Sequence, residues 1–131
     1  MRYLCLACGE ESAWEGLTEE ERQSYADRCR VYDTELASDR RVTLYAGLGE
    51  GGRLIRVRGG QRVITDGPFI ETKEIGGVFL VEARDLEEAV ALASLHPAAR
   101  MGEELGWYVV VRPLFVPELP AGPATGDGSA G

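Results

Sequence analysis

The sequence predicts an α+β domain in which two helices pack on one face of a mostly antiparallel sheet. Three observations support this class: two helix patterns with capping residues, several short apolar runs typical of strands, and a Gly59-Gly60 pair typical of a tight hairpin turn. Helices and strands do not alternate as they would in a doubly wound parallel fold. The 131 residues suffice for one domain with its own core and are too few for two ordinary domains.

Each predicted helix has a recognisable start. Thr18 and Glu21 form a capping-box pattern ahead of a helix over about 19–37, whose apolar residues recur every three or four positions. Asp85 stands where it can cap a second helix. Pro97 is expected to end that helix, because the residue before a proline is disfavoured in helical geometry. His96 would then lie at the C-terminal end of the second helix, where the helix dipole favours a cation.

The predicted strands are short apolar runs bounded by glycine, proline or charged residues. They cover residues 2–7, 42–48, 54–58, 61–65, 78–81 and 107–111. Together with the helices they predict a ferredoxin-like sandwich with a five-stranded sheet. Adjacent apolar pairs, such as Leu54 with Ile55 and Val109 with Val110, place apolar side chains on both faces of the sheet. Because two helices cover only one face, we expect a homodimer to bury the other.

Composition limits the classes of partner. The formal net charge of −8 argues against direct nucleic-acid binding through a basic face. The apolar run at the N-terminus is too short for a signal peptide or a membrane span, and three cysteines suit a reducing compartment. We therefore expect a cytoplasmic protein with no membrane partner. Residues 1–116 are predicted to form the domain. Residues 117–131, rich in Pro, Gly and Ala, are predicted to be a disordered tail.

The segment 66–79, DGPFIETKEIGGVF, carries the most functional information. Gly67-Pro68 imposes a tight turn directly after a strand, so Asp66 is held at the strand end. Three charged residues follow in a short connection: Glu71, Lys73 and Glu74. They are interpreted either as an ion-pair group within the loop or as the lining of a pocket beside Asp66.

This segment closely resembles the DGPF-x-ETKE-x-x-GG-[YF] motif of the YCII-related, DGPF-type family. RVRGG, DLEEA, HPAAR and VVVRP elsewhere in the chain are also similar to members, and the resemblance covers roughly residues 1–115. It implies a dimeric α/β-barrel of ferredoxin-like protomers. The aspartate and histidine proposed as the family's active site correspond to Asp66 and His96. Genes of DGPF-type members often neighbour those of extracytoplasmic-function sigma factors, which implies a link to transcription.

Asp66 and His96 would together make an acid/base dyad, in which the carboxylate raises the pKa of the imidazole. The structural alternatives are a turn-forming role for Asp66 and a helix-capping role for His96. Cys5 and Cys8 form a C-x-x-C pair, but on a strand this spacing sends them to opposite faces, and no second Cys or His pair completes a zinc site. We therefore expect no metal and no cofactor.

Three function hypotheses follow. The first is a small enzyme that uses Asp66 and His96 for proton transfer on a small organic substrate. The second is a ligand-binding or regulatory module, linked to sigma-factor-dependent transcription and without catalysis. The third is an interaction protein with no small-molecule site. The arginines of the predicted hairpin are interpreted as solvated edge charges, with attraction of an anionic ligand as the alternative; they are Arg56, Arg58 and Arg62.

Overall fold

A computed structural model describes residues 1–49, 51–66, 75–115 and 117. Its strands are β1 (Arg2–Cys8), β2 (Val42–Gly47), β3 (Arg53–Arg58), β4 (Gln61–Asp66), β5 (Ile75–Glu82) and β6 (Tyr108–Pro113). Its helices are α1 (Glu11–Glu15), α2 (Glu19–Ala37), α3 (Leu86–Ala93), α4 (Pro97–Arg100) and α5 (Gly102–Leu105). The predicted loop residues Glu71, Lys73 and Glu74, and all of the predicted tail except Pro117, lie outside the described residues.

The main sheet has four strands in the order β2-β5-β1-β6, and every neighbouring pair is antiparallel. Helix α2 joins β1 to β2, and the helices α3 to α5 join β5 to β6. Each strand–helix–strand unit therefore encloses one strand of the other unit. This arrangement confirms the α+β class and is consistent with the ferredoxin-like fold. Within the described ranges, no helix is both long enough and apolar enough to cross a membrane.

The expectation of one five-stranded sheet is wrong, because the main sheet has four strands and β3 and β4 do not join it. They pair only with each other, as a separate two-stranded sheet. The predicted turn is confirmed, since Gly59 and Gly60 both have positive φ angles, at 57° and 75°. Gly51 and Gly52, with φ angles of 89° and 132°, redirect the chain between β2 and β3, so β3 does not run back alongside β2.

The hydrophobic core lies between one face of the main sheet and the helices. The sheet contributes Tyr3, Cys5, Phe79 and Val81, and the helices contribute Leu36, Ala89, Leu92 and Ala93. The opposite face of the sheet is also apolar but only partly covered. Its side chains are Leu4, Leu6, Leu44, Val78, Leu80 and Val110, which the strand register places side by side. None of the five described helices contributes to the core from this second face.

Both predicted helix starts are confirmed. The Thr18 hydroxyl accepts the Glu21 amide at 3.1 Å, and the Glu21 carboxylate accepts the Thr18 amide at 2.9 Å. Asp85 accepts the Glu88 amide at 2.9 Å. The predicted end of the second helix is wrong, because α3 already ends at Ala93. Proline has no amide hydrogen and a φ suited to the first position of a helix, so Pro97 begins a new helix, α4, rather than stopping the old one.

Candidate functional site

His96 is the N-cap residue of α4 and not the C-terminal cap of the preceding helix. Its Nδ1 accepts a hydrogen bond from the Ala98 amide at 2.9 Å. A ring nitrogen that accepts a hydrogen bond does not carry the proton, so the neutral imidazole has its hydrogen on Nε2. Asn, Asp, Ser and Thr are the usual residues at such a position. The geometry therefore anchors one nitrogen of the ring and fixes its tautomer.

The flat face of the imidazole packs against aromatic rings. It stacks on Phe79 with ring centroids 5.0 Å apart and an interplanar angle of 4°, and the Tyr45 ring lies 5.7 Å away. No described residue forms a hydrogen bond at Nε2. His96 is half-buried, and the described residues contain no fully buried side-chain nitrogen or oxygen without a partner, so Nε2 is not fully enclosed. Nε2 is thus the ring nitrogen that has no hydrogen-bond partner among the described residues.

Asp33 of α2 lies close enough to the His96 imidazole for its charge to act on the ring. The Tyr45 hydroxyl donates a hydrogen bond to its Oδ1. Burial, with this hydrogen bond as a second cause, raises the pKa of Tyr45, so the phenol remains protonated across the physiological range. Cys29, one turn earlier on α2, has its pKa raised by burial and then by the charge of Asp33. Cys29, Asp33, Tyr45, Phe79 and His96 are called the His96 cluster below.

The surroundings of His96 reverse the expected direction of its pKa. Burial lowers the pKa of the imidazole below its usual value, and the negative charge of Asp33 opposes this shift only in part. The expectation of a raised pKa is therefore contradicted. Its physical basis was the Asp66 carboxylate as a partner, supported by a position at a helix C-terminus. His96 instead stands at a helix start and accepts a backbone amide, which favours the neutral ring.

Asp66, the other predicted site residue, is the last residue of β4. Its carboxylate forms an ion pair with Arg53, its cross-strand neighbour in the hairpin, at 2.9 Å, and its side chain is largely exposed. Over the described ranges, no hydrogen bond or ion pair joins Asp66 to His96. The structure therefore brings His96 together with Asp33 and Tyr45, and Asp66 together with Arg53. The predicted Asp66–His96 dyad stays a prediction.

Asp33 and Tyr45 were not predicted from the sequence to be site residues. Asp33 lies four residues after Cys29 and three before Leu36, both on the apolar stripe of the first predicted helix. A carboxylate beside such a stripe is unusual, because Asp is rarely buried without a partner. The position of Asp33 beside this apolar stripe is therefore the one feature of the sequence that could have indicated a role in the site. The contact with Tyr45, twelve residues later in another element, has no counterpart in the local sequence.

A groove of about 520 Å³ lies along α1 and α2, away from both predicted site residues. It is lined by Trp14, Glu19, Arg22, Gln23 and Ala26. The Arg22 guanidinium already donates to the backbone carbonyls of Trp14 and Glu15, at 3.1 and 2.9 Å, so it serves to hold α1 in place. Among the residues with described positions, no group of three or more His, Cys, Asp or Glu could hold a metal ion.

Comparison with protein families places this arrangement in a known group. The model of the YCII-related domain matches residues 1–111. The chain belongs to this family. The match runs from β1 into β6 and includes every residue of the His96 cluster, as well as Asp66. A search of curated proteins found no match.

Proposed function

We propose that this YCII-related domain binds a small organic molecule at the Nε2 edge of His96, and that His96 acts there as a neutral hydrogen-bond donor. The observation that carries the proposal is the hydrogen bond from the Ala98 amide to Nδ1. It commits the other nitrogen to carry the hydrogen. A neutral imidazole with a lowered pKa can polarise a carbonyl oxygen without surrendering its proton. The matching ligand group is therefore a carbonyl or another oxygen acceptor.

The enzymatic form of this proposal is an acid/base reaction on a small organic substrate. His96 donates a hydrogen bond that polarises an oxygen of the substrate, and a carboxylate of the protein accepts a proton from the substrate. Asp33 is the carboxylate beside His96 in the single chain, and the Tyr45 hydroxyl holds it in place. Asp66 could take this role only after leaving its ion pair with Arg53. Removing one carboxylate at a time, with Asp33→Asn and Asp66→Asn, distinguishes the two assignments.

The second candidate is a ligand-binding or regulatory module without catalysis, linked to sigma-factor-dependent transcription. The anchoring of Nδ1 favours it over an enzyme in which the imidazole itself relays protons, because such a relay changes the tautomer and breaks the hydrogen bond with the Ala98 amide. Binding alone requires no such change. A ligand that binds at His96 and is recovered unaltered after prolonged incubation would support the module, whereas turnover would support the enzyme.

The partner we propose is a second copy of the chain. The uncovered face of the main sheet presents contiguous leucine and valine side chains, of which Leu44 is exposed. An apolar face of this kind is favourably buried against itself across a twofold axis, which would give a dimeric α/β-barrel. Light scattering should give twice the 14.2 kDa of one chain. A mass of one chain at micromolar concentration would exclude the dimer.

The proposed site is tested by a thermal-shift screen of a metabolite library against the wild type and His96→Asn. Asparagine is among the best N-cap residues, so the variant keeps an acceptor for the Ala98 amide while it removes the Nε2 donor. We expect compounds that stabilise the wild type to lose their effect on His96→Asn. Asp27→Asn, a change at an exposed position of α2 outside the His96 cluster, is the matched control and should keep the response. Equal responses of wild type and His96→Asn would contradict the proposed site.

A further inference from the structure

The charge of the chain is unevenly distributed. The hairpin, residues 53–66, contains four arginines and one aspartate, a formal charge of +3. The rest of the chain contains ten basic and 21 acidic residues, a formal charge of −11. Only Arg53 of the hairpin arginines forms an ion pair with another described residue, its neighbour Asp66. The hairpin is therefore a basic segment in an acidic protein, and three of its cations have no carboxylate partner among the described residues.

One face of the hairpin has an exposed apolar centre with charged ends. Side chains at alternate positions of a strand share a face, which places Ile55 and Val57 of β3 together with Ile64 of β4, between Arg62 at one end and the Arg53–Asp66 pair at the other. Ile55 and Ile64 are direct cross-strand neighbours. All three side chains are exposed, and so is every other residue of β3 and β4 except the half-buried Leu54. A two-stranded hairpin alone is marginally stable in water, and the described residues cover little of this one, so we expect it to pack on a further surface.

We propose that the β3–β4 hairpin is an intersubunit arm whose apolar face packs on a second copy of the chain, while its arginines pair with carboxylates of that copy. The hairpin lies in the chain between β2 and β5, which are neighbours in the main sheet. The arm would therefore extend the apolar surface proposed as the dimer interface. This inference rests on the proposed dimer and adds a second contact to it.

The chemistry favours a second copy over a nucleic acid as the occupant. Phosphate backbones are bound by basic side chains, and they leave an isoleucine–valine face unsatisfied. The acidic remainder of the chain would also repel a polyanion. A second copy offers both apolar area and an excess of carboxylates. The hairpin of one copy, with a charge of +3, is therefore complementary to the remainder of a second copy, with a charge of −11.

The first test measures the dimer dissociation constant by sedimentation. Ile55→Ser combined with Ile64→Ser should raise the Kd at least ~10-fold, the effect of losing ~1.4 kcal/mol of contact energy. Val31→Ser on α2 is the matched control, because Val31 is 64% exposed and Ile55 is 66% exposed. The control should leave the Kd unchanged. A dimer of unaltered Kd in the double variant would overturn the arm and leave the sheet-face dimer standing. A wild type that is monomeric would overturn both.

The second test locates the arm directly. Lys73 is the only lysine of the chain, so Arg62→Lys introduces a second side-chain amine that carbodiimide can couple to a nearby carboxylate. In a dimer mixed from ¹⁴N and ¹⁵N chains, the lysine introduced by Arg62→Lys should form cross-links between chains of different mass. The amine introduced by Arg40→Lys, outside the hairpin, serves as the comparison. Cross-links from position 62 that stay within one chain would overturn the proposal. It would also be overturned if the protein bound a 20-base-pair duplex and Arg56→Glu abolished that binding without changing the dimer Kd.

Discussion

Strand β5 and the β3–β4 hairpin are built from similar residues but have opposite environments. Phe79 and Val81 of β5 are 1% and 0% exposed, whereas Val57 of β3 is 68% exposed. Helices α2 and α3 cover the inner face of β5, whereas no described element of the chain covers the hairpin to a comparable extent. An apolar strand pattern therefore predicts a strand but not its burial. We expect stability to reside in the helix-covered face of the sheet, and the hairpin to contribute to association rather than to the stability of the single chain.

The largest expected effect compares a phenylalanine buried in β5 with an exposed phenylalanine that follows β6. Phe79→Ala removes a buried ring that packs on Tyr45 and His96, and should lower the free energy of unfolding by about 3–5 kcal/mol. Phe115→Ala removes a ring that is 86% exposed and should change it by less than ~0.5 kcal/mol. Urea denaturation measures both. Similar losses for the two variants would show that β5 is not the stabilising region.

Two valine substitutions compare the stability contributions of β5 and the hairpin through a smaller change in side chain. Val81→Ala leaves a cavity in the core and should cost about 2 kcal/mol, from lost burial and imperfect collapse around the gap. Val57→Ala, the identical change in the hairpin, should cost less than ~0.5 kcal/mol when unfolding is measured on the monomer. If Val57→Ala proved as destabilising as Val81→Ala under those conditions, the hairpin would have to pack on its own chain.

The smallest expected effect is a pH dependence from His96. An unfolded histidine titrates near ~6.5, and burial holds the folded pKa below that value. The unfolded chain therefore binds the proton first, and stability should fall as the pH drops from about 6.5 to the folded pKa. His96→Asn should remove this slope. Carboxyl groups titrate in a lower window; the pKa of Asp39, for example, is lowered to about 2 by hydrogen bonds from Arg41. A slope unchanged in His96→Asn would assign it to another group.

The features predicted correctly from the sequence are mostly local. The Thr18 capping box, the Asp85 cap and the Gly59-Gly60 turn each depend on residues within four positions of one another, where side-chain geometry decides the outcome. The YCII-related family followed from a contiguous motif, and the family match bears it out. The α+β class followed from the order of these local elements.

The features that were missed depend on distant residues or on ambiguous ones. Pro97 can end one helix or begin another, and the choice moved His96 from a cation-favouring position to an amide-accepting one. The contact of Asp33 with Tyr45 joins a helix to a strand, and no spacing rule relates them. The separation of the hairpin from the main sheet depends on glycines whose φ angles the sequence does not specify.

The central claim is that His96 is a neutral, Nδ1-anchored imidazole whose charged neighbour is Asp33. Because His96 is the only histidine, an NMR titration reads its pKa and tautomer without ambiguity. We expect a pKa below ~6.5 and the hydrogen on Nε2. Asp33→Asn should lower the pKa further, because the carboxylate partly offsets the effect of burial, and Asp66→Asn should leave it unchanged. A pKa above ~6.5 that falls in Asp66→Asn and stays constant in Asp33→Asn would contradict the account and establish the Asp66–His96 dyad instead.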